Sequence, residues 1–468
     1  MYKRFILLHN IKTFFKWQRI VNMLVVSAAL VFGSFIGILQ VSPLRADESS
    51  IKFQDMMSNI RRWSIPRPMG SESIAYVRSG IISEIEEMGL EPIIRRFDFT
   101  ENEIIEARNF LRGRDVGRHL PQRFREQYLS TGYLQIYNIL TRFTSYNSDR
   151  VVLIVSHYDS VPNSPGAGDA MLPITAMIEA IRHLSLMDNP AINIYFLMTD
   201  AEEYWAMGAL AFIRDNPELL DRIGMVVNLE ATGNSGGLTL FQTSPQPGEM
   251  IRLFGRAVPR PIGFSIGNPL YDALGFWTDF CMFLHYDLPG VNLAILGGHS
   301  TYYHMPADTY YNLCRNAAYN YLRTVLAFTD YFAENALDTL RQSSTDVVFF
   351  PFMPGNLVIM SYFKSYIAGI IICILALTYI ILNIRTKKGK KALCFLAGLI
   401  LLSVLGMLYF HYSGYLFWTL LLAVLTVTYF SKIPIYGNIV KFVFIVTIPM
   451  IWIPLPVMAF ELVFVRLL

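Results

Sequence analysis

The stretch VVLIVSHYDSVPNSPGAGDA, residues 151–170, is the starting point for reading this chain. It opens with an apolar, β-branched run that is typical of a buried strand. His157 and Asp159 follow at the carboxyl end of that strand, and a loop rich in Pro and Gly leads on to Asp169. Open α/β sheets bind ligands outside the carboxyl ends of their strands. The stretch therefore predicts one half of a metal site.

Segments with strand periodicity and helix periodicity alternate on both sides of this stretch. The expected strands are 92–99, 134–143, 151–156, 192–198, 224–230, 238–241 and 291–296, and the expected helices are 72–88, 173–186, 205–214 and 316–335. Such alternation predicts the α/β class, as a three-layer sandwich with a mostly parallel central sheet.

Composition limits the function. The 468 residues are 53% hydrophobic and only 16% charged, which departs from the norm of soluble globular proteins. Lysine and arginine (39) nearly balance aspartate and glutamate (36), so no nucleic-acid partner is expected. The four cysteines include no C-x-x-C pair, which argues against a structural zinc ribbon. Cys281 and Cys314, in the central part, are compatible with one disulfide or with two free thiols.

The apolar excess lies at the two ends of the chain. Residues 1–46 join a basic segment to an uncharged run, 21–44, which is long enough to cross a bilayer. This run is long for a signal-peptide core and ends in a poor cleavage site, so we prefer an uncleaved transmembrane anchor to a signal peptide. Residues 355–468 are predicted to form a membrane domain of about four transmembrane helices, at 365–384, 392–410, 415–430 and 442–460.

Basic loops predict the orientation in the membrane. The segment 385–391 is strongly basic and should face the cytoplasm, as should Lys432, Lys441 and the amino terminus. The central domain, 47–354, is then expected on the extracytoplasmic side, which means periplasm, cell exterior or organelle lumen. The predicted spans hold almost no ionisable residue, which favours anchoring in the lipid bilayer over transport.

Further candidate ligands follow the later strands. Glu202 and Glu203 come after strand 192–198, Glu230 ends strand 224–230, and His304 follows strand 291–296. Two imidazoles and three carboxylates suit zinc, and also cobalt or manganese. Taken singly, each has a structural interpretation: an adjacent Glu pair, for example, is common at a helix start. Together in this order they favour a metal pair.

A metal pair explains this choice of side chains. One carboxylate can bridge two ions about 3.5–4 Å apart, and such a pair lowers the pKa of a shared water enough to give hydroxide near neutrality. Of two adjacent glutamates, one can bind metal while the other acts as general base. Asp159 can accept the second N–H of His157 and so fix its tautomer.

Five motifs resemble the co-catalytic-zinc aminopeptidase family, which includes glutamate carboxypeptidase, the transferrin receptor and the glutaminyl cyclases. They are SHYDSVPNSPGAGDA (156–170), FLMTDAEEYWAMGALAF (196–212), VNLEATGNSGGLTLFQT (227–243), FWTDF (276–280) and YYHMPADT (302–309). The likeness covers residues 55–350 and is greatest to the branch of endoplasmic reticulum metallopeptidases and vacuolar membrane proteases.

The resemblance implies a role for each candidate. Five residues would bind two zinc ions: His157 and Glu230 the first, Glu203 and His304 the second, and Asp169 both. Glu202 would be the general base and Asp159 the acid that orients His157. Asp279 lies where the family builds its substrate pocket. One departure is Ala170, which stands where the family has Asp or Asn in a cis peptide turn.

The expected function is that of a membrane-anchored di-zinc metallopeptidase. It would act on peptide or protein substrates as an aminopeptidase, by attack of metal-bound hydroxide with Glu202 as base. Two alternatives share the fold: a non-catalytic receptor or scaffold, and a single-zinc glutaminyl cyclase.

Overall fold

The structure is a computed structural model that describes most of the chain between residues 49 and 367. The described residues are 49–111, 133–265, 267–268, 271, 276–296, 302–336, 345–353 and 356–367. The chain divides into two compact units, and the larger one, Gln40–Ile359, contains all the elements of the candidate site. The smaller unit is formed by residues 1–39 and 360–468.

The larger unit is built on an eight-stranded mixed sheet with the order β1-β2-β4-β3-β5-β8-β6-β7. Its strands are β1 (Ile93–Thr100), β2 (Tyr133–Phe143), β3 (Val151–His157), β4 (Asn193–Thr199), β5 (Ile223–Ala231), β6 (Gly237–Thr243), β7 (Ile262–Gly263) and β8 (Gly290–Leu296). The four central strands, β4, β3, β5 and β8, are parallel. Strands β1, β2 and β6 run antiparallel to their neighbours toward the centre. A separate two-stranded sheet pairs β9 (Val347–Met353) with β10 (Asn356–Ser361).

Helices cover both faces of the large sheet. They are α1 (Ile51–Trp63), α2 (Glu72–Glu87), α3 (Glu101–Leu111), α4 (Leu172–Leu184), α5 (Met207–Asp215), α6 (Pro217–Leu220), α7 (Gly248–Ala257), α8 (Asp279–His285) and α9 (Arg315–Glu334). Serines cap the first two: the Ser50 and Ser71 hydroxyls accept hydrogen bonds from the N–H groups of Phe53 and Ile74. These bonds satisfy amides that the first helical turn leaves without backbone partners.

The central strands are buried on both faces, which explains their continuous apolar runs. Along β3, Val152 and Ile154 face a hydrophobic cluster that includes residues of α1, α2, α4, α7 and α9. Val151, Leu153 and Val155 face a second cluster with residues of α3, α5 and α8. The predicted α/β class and three-layer arrangement are confirmed. The mostly parallel central sheet is also confirmed, and its antiparallel pairings lie outside the four central strands, at β2 and β6.

The membrane segments fall largely outside the described residues. This applies to the expected spans 21–44, 392–410, 415–430 and 442–460, and to 365–384 apart from its first three residues. Among the described residues, no helix has the length and apolarity that a bilayer crossing requires. The two described cysteines, Cys281 and Cys314, are not joined in a disulfide.

Candidate metal centre

The parallel strands bring the predicted ligands to one edge of the sheet. His157 is the last residue of β3 and pairs with Thr199, the last residue of β4. Glu202 and Glu203 follow in the turn after β4, and Glu230 is the penultimate residue of β5. Because all of these strands run in the same direction, their carboxyl ends converge, as expected for a ligand site in an α/β sheet.

Asp169 lies between the two imidazoles and contacts each with a different oxygen. Its Oδ1 is 3.2 Å from Nε2 of His157, and its Oδ2 is 3.1 Å from Nε2 of His304. Glu230 Oε2 is 3.5 Å from the same nitrogen of His157, whereas Glu203 Oε2 is 3.1 Å from that of His304. This arrangement has two ends that share one carboxylate, as a bridged metal pair requires.

The side chains group in threes whose ligand atoms all lie within 4.8 Å of one another. The groups are His157, Asp169 and Glu230; His157, Glu202 and Glu203; and Asp169, Glu203 and His304. The structure therefore brings together all five predicted ligands and the predicted base. His304 is at the surface, with a side chain 37% exposed, and it adopts a positive φ of 57°. The Tyr303 ring stacks on its imidazole, with ring centroids 3.8 Å apart.

Asp159 supports both neighbouring segments. Its Oδ1 lies 3.3 Å from Nδ1 of His157 and can accept a proton from it, while Nε2 faces Asp169. The same carboxylate accepts hydrogen bonds from the backbone N–H groups of Glu202 (3.1 Å) and Glu203 (3.3 Å). One fully buried acid thus fixes the imidazole and the turn that carries the two glutamates.

The turn that carries Asp169 is held from the His304 loop. Asp308 accepts hydrogen bonds from the N–H groups of Gly168 (2.8 Å) and Asp169 (3.1 Å), and from Asn234 Nδ2 (2.7 Å). The peptide bond between Asp169 and Ala170 is cis. The cis peptide that the resemblance implies is therefore present here with alanine as its second residue.

A chain of buried amides lies behind Glu230. Asn228 donates from Nδ2 to Glu230 Oε1 (3.0 Å) and to Asn292 Oδ1 (3.0 Å). Asn292 in turn donates to Gln242 Oε1 (3.1 Å) and to Thr278 Oγ1 (2.9 Å). These contacts run across β5, β8 and β6 and fix one oxygen of Glu230, which leaves Oε2 directed at His157.

Burial and negative charge control the protonation of the site. Burial would lower the pKa of His304, but Glu203 and Asp169 outweigh it and raise that pKa to about 10. The same competition raises the pKa of His157 well above its ordinary value, through Glu202, Asp159, Asp169 and Glu230. The cluster therefore favours bound positive charge, and a metal ion would have to displace protons from it.

Of the five buried carboxylate oxygens that have no hydrogen-bond partner among the described residues, two belong to Glu203 and Asp279. One is Oε1 of Glu203 and the other is Oδ1 of Asp279, whose Oδ2 accepts a hydrogen bond from Thr199. Buried polar atoms are rarely left unsatisfied. Because the Glu203 oxygen belongs to a mixed nitrogen and oxygen donor set, this site fits a divalent cation such as zinc.

Sequence reasoning missed three residues that support the site, namely Arg67, Asn228 and Asp308. Asp308 follows His304 by four residues and was inside a quoted motif, but no pattern showed that it would reach the turn at Asp169. Arg67 and Asn228 are an arginine near a proline and an asparagine in a strand, and neither feature predicts a contact with a distant ligand.

Comparison with known proteins agrees with this geometry. Residues 138–329 match the model of peptidase family M28. A putative endoplasmic reticulum metallopeptidase 1 of Schizosaccharomyces pombe is 30% identical over 284 residues, which cover 59% of this chain and 34% of that protein. A vacuolar membrane protease of Eremothecium gossypii is 28% identical, over 57% of this chain and 27% of its own length. The chain thus spans about a third or less of these curated relatives.

Among solved structures, the aminopeptidase from Aneurinibacillus sp. strain AM-1 superposes with a TM-score of 0.47 and 14% identity. That alignment covers 67% of this chain and 98% of the aminopeptidase. The family match spans β3, β4, β5 and β8 and all the candidate ligands, so the part of the chain that carries the site is the part that is similar to peptidase family M28.

Proposed function

We propose that the chain is a membrane-anchored di-zinc metallopeptidase that hydrolyses peptide bonds as an aminopeptidase. The observation that carries this proposal is the position of Asp169, whose two oxygens contact the imidazoles of His157 and His304 at 3.2 and 3.1 Å. Glu230 and Glu203 complete the two ends of the cluster. The match of residues 138–329 to peptidase family M28 supports the same reaction class.

The ligand assignment follows from these contacts. His157 and Glu230 would hold one zinc ion, Glu203 and His304 the other, and Asp169 would bridge them. When bound, the ions would polarise the substrate carbonyl and lower the pKa of the attacking water.

Glu202 is placed to move the proton. Burial raises the pKa of its carboxyl group well above the ordinary value, and the carboxylates of Glu230 and Glu203 add to this rise. Two bound cations would oppose this rise, so that Glu202 could accept a proton from water. Glu202 would then deliver that proton to the departing amine, which becomes a free amino terminus.

A free amino terminus on the substrate suits the charge of this site. Such a terminus is an ammonium ion at neutral pH. Asp279 is fully buried, and its Oδ1 has no partner among the described residues. Asp279 would therefore offer an unpaired carboxylate oxygen to an ammonium group, which supports exopeptidase action.

Membrane attachment and an extracytoplasmic catalytic domain are part of the proposal. They are supported by the apolar ends of the sequence, by the basic loop 385–391, and by the names of the relatives, which are proteases of the endoplasmic reticulum or of a vacuolar membrane.

The test is metal content and hydrolysis by the purified full chain, compared with Glu202→Gln. We expect two zinc ions per chain and cleavage of aminoacyl substrates with a free amino terminus but not of blocked ones. Glu202→Gln should keep both ions and lose activity by about 10²–10⁴-fold, because it cannot accept a proton. Glu218→Gln, at an exposed position on α6, is the matched control and should retain activity.

Other outcomes would identify the alternatives. One zinc ion with cyclisation of amino-terminal glutamine would indicate a glutaminyl cyclase. A folded chain that binds no metal and cleaves nothing would refute the enzyme and leave a scaffold.

A further inference from the structure

The segment between His157 and Asp169 is held by a residue from outside the M28-matched region. Arg67 lies before residue 138 and is fully buried. Its side chain donates four hydrogen bonds to backbone carbonyl groups, and all the partners lie within two short stretches of chain. The acceptors are the carbonyl oxygens of Tyr158 (2.6 Å), Ile65 (3.2 Å), Pro165 (2.5 Å) and Gly166 (3.0 Å).

The backbone of Arg67 joins the same segment. Its N–H donates to Ser160 Oγ (3.0 Å), and its carbonyl accepts from the N–H of Ser160 (3.2 Å). The segment is therefore fixed near His157, at Tyr158 and Ser160, and again near Asp169, at Pro165 and Gly166. A rigid planar guanidinium with five donors can hold several carbonyl groups in one geometry, which a lysine ammonium cannot do.

Asp308 completes this arrangement with the opposite charge. The Arg67 guanidinium donates to carbonyl oxygens as far along the loop as Gly166. The Asp308 carboxylate then accepts hydrogen bonds from the N–H groups of Gly168 and Asp169. A cation bonded to acceptors and an anion bonded to donors thus fix consecutive peptide groups that lead into Asp169. Charge-assisted bonds of this kind are stronger than neutral ones.

Gly166 is adapted to the position of the guanidinium. Its φ is +59°, and a Cβ atom there would lie 2.9 Å from one terminal nitrogen of Arg67 and 2.3 Å from the carbonyl oxygen of Asp169. Positive φ is accessible to glycine at low cost. Only a residue without a side chain allows the loop to close on Arg67 in this conformation.

We propose that Arg67 is a positioning residue for the zinc site, because it fixes the loop 158–166 and thereby the separation between His157 and Asp169. The part of this inference that concerns zinc affinity rests on the proposed function. Its structural readout, the rigidity of the loop, does not depend on metal. Arg67 would act through the ligand loop and not by contact with substrate.

The first experiment is amide hydrogen exchange on the metal-free full chain, comparing the parent with Arg67→Lys. We expect the amides of residues 160–171 to exchange at least about ten-fold faster in the variant. The single ammonium nitrogen of lysine cannot donate to all four carbonyl groups that the guanidinium of Arg67 holds. Arg182→Lys is the matched control, because Arg182 pairs with Glu84 at 2.7 Å and should leave these amides unchanged.

The second experiment is zinc affinity by competition with a chelator, together with the absorption spectrum of the cobalt-substituted chain. Arg67→Lys should lower the affinity by about 10–100-fold and alter the cobalt bands, as loss of support behind metal ligands does. Gly166→Ala keeps the charge of Arg67 but crowds both the guanidinium and the carbonyl oxygen of Asp169, and the same two changes are expected.

Three results would overturn the proposal. One is unchanged exchange in residues 160–171. Another is faster exchange with unchanged zinc affinity, which would make the contacts merely structural. The third is complete loss of the fold in both variants, since Arg67 would then be a core residue. If the parent chain binds no zinc, the proposed function fails separately, and the exchange result alone decides whether Arg67 fixes the loop.

Discussion

At the scale of single residues, the site depends on buried charges that each serve several partners. Asp159 holds the Nδ1 side of His157 at 3.3 Å and accepts the N–H groups of Glu202 and Glu203. Asp308 and Arg67 act on peptide groups in the same way. Removing one such charge should therefore disturb several ligands together, although it contacts no metal itself.

Asp159→Asn tests this dependence. Asparagine replaces the carboxylate that orients the His157 imidazole with an amide. The NH₂ group of that amide cannot accept the hydrogen bonds that Glu202 and Glu203 donate from their backbone N–H groups. We expect zinc affinity to fall by about 10–100-fold, measured by competition with a chelator. Asp98→Asn, in an exposed pair with Arg96, is the control and should bind zinc like the parent. Equal affinity in both variants would contradict the support assigned to Asp159.

Glu179 predicts a pH dependence of stability that is separate from catalysis. Its side chain is fully buried in α4, and Arg182 Nε is 3.5 Å away. Burial raises the pKa of Glu179 from 4.5 to about 7, Arg182 opposes the rise, and Asp55 and Glu84 add to it. The protonated form thus stabilises the fold fully below pH 4.5, and this contribution is lost as the pH rises through 7.

Glu179→Gln should abolish the loss of stability that the parent chain shows as the pH rises through 7. Between pH 5 and pH 8, the free energy of unfolding of the parent should fall by about 1–3 kcal/mol relative to the variant. Urea unfolding at several pH values measures the difference. Parallel pH profiles for the two chains would show that Glu179 does not titrate in this range.

At the scale of helices and strands, the polar row across the sheet connects the site to its scaffold. Asn228 and Asn292 face each other in the register of β5 and β8, and Gln242 continues the row on β6. Both asparagines are fully buried. A buried row of this kind is stabilising only while every member keeps its partners.

Asn292→Ala should break the row, because Gln242 and Thr278 lose a donor and Asn228 loses one of its two acceptors and keeps Glu230. We expect a loss of about 2–4 kcal/mol in the free energy of unfolding, because buried polar groups would be left unpaired. Chemical denaturation of the metal-free chain measures it. Asn147→Ala, at an exposed position, should change stability by less than about 0.5 kcal/mol. A similar small change in Asn292→Ala would refute the role of the row.

Periodicity predicted these elements well, and it predicted the ligand edge for a physical reason. Consecutive parallel strands must place their carboxyl ends together, so residues after β3, β4, β5 and β8 could be grouped from sequence. Strand direction leaves no trace in periodicity, and the reversed β6 was therefore not foreseen. Helix α1 was also missed, although Phe53, Met56, Met57 and Ile60 have helical spacing. The partners of Arg67 and Asp308 in the segment 158–169 lie 91 to 140 positions away, beyond any local pattern.

At the scale of the whole molecule, the sequence predicts a catalytic domain between two membrane-embedded ends. The predicted spans lie almost wholly outside the described residues, so their orientation remains a prediction from basic loops. The predicted orientation determines which parts of the chain a membrane-impermeant reagent can reach from outside the cell.

Cysteine labelling in intact cells tests the orientation. Tyr146→Cys, at a side chain 93% exposed in the central domain, should react with a membrane-impermeant maleimide. Lys388→Cys, in the basic loop, should react only after the membrane is permeabilised. The parent chain with its four cysteines gives the background. The opposite pattern would place the catalytic domain in the cytoplasm.

The two ends of the ligand cluster differ in their access to solvent. The His157 side chain is 1% exposed, whereas that of His304 is 37% exposed. In the proposed metal pair, an ion at the outer end could exchange with the surroundings without any movement of the core, while the inner ion would be enclosed by protein. Loading should then occur in order, with the outer position filling last and emptying first. In a compartment where trace metal is scarce, the enzyme would keep its inner ion and vary in activity with the supply of the outer one.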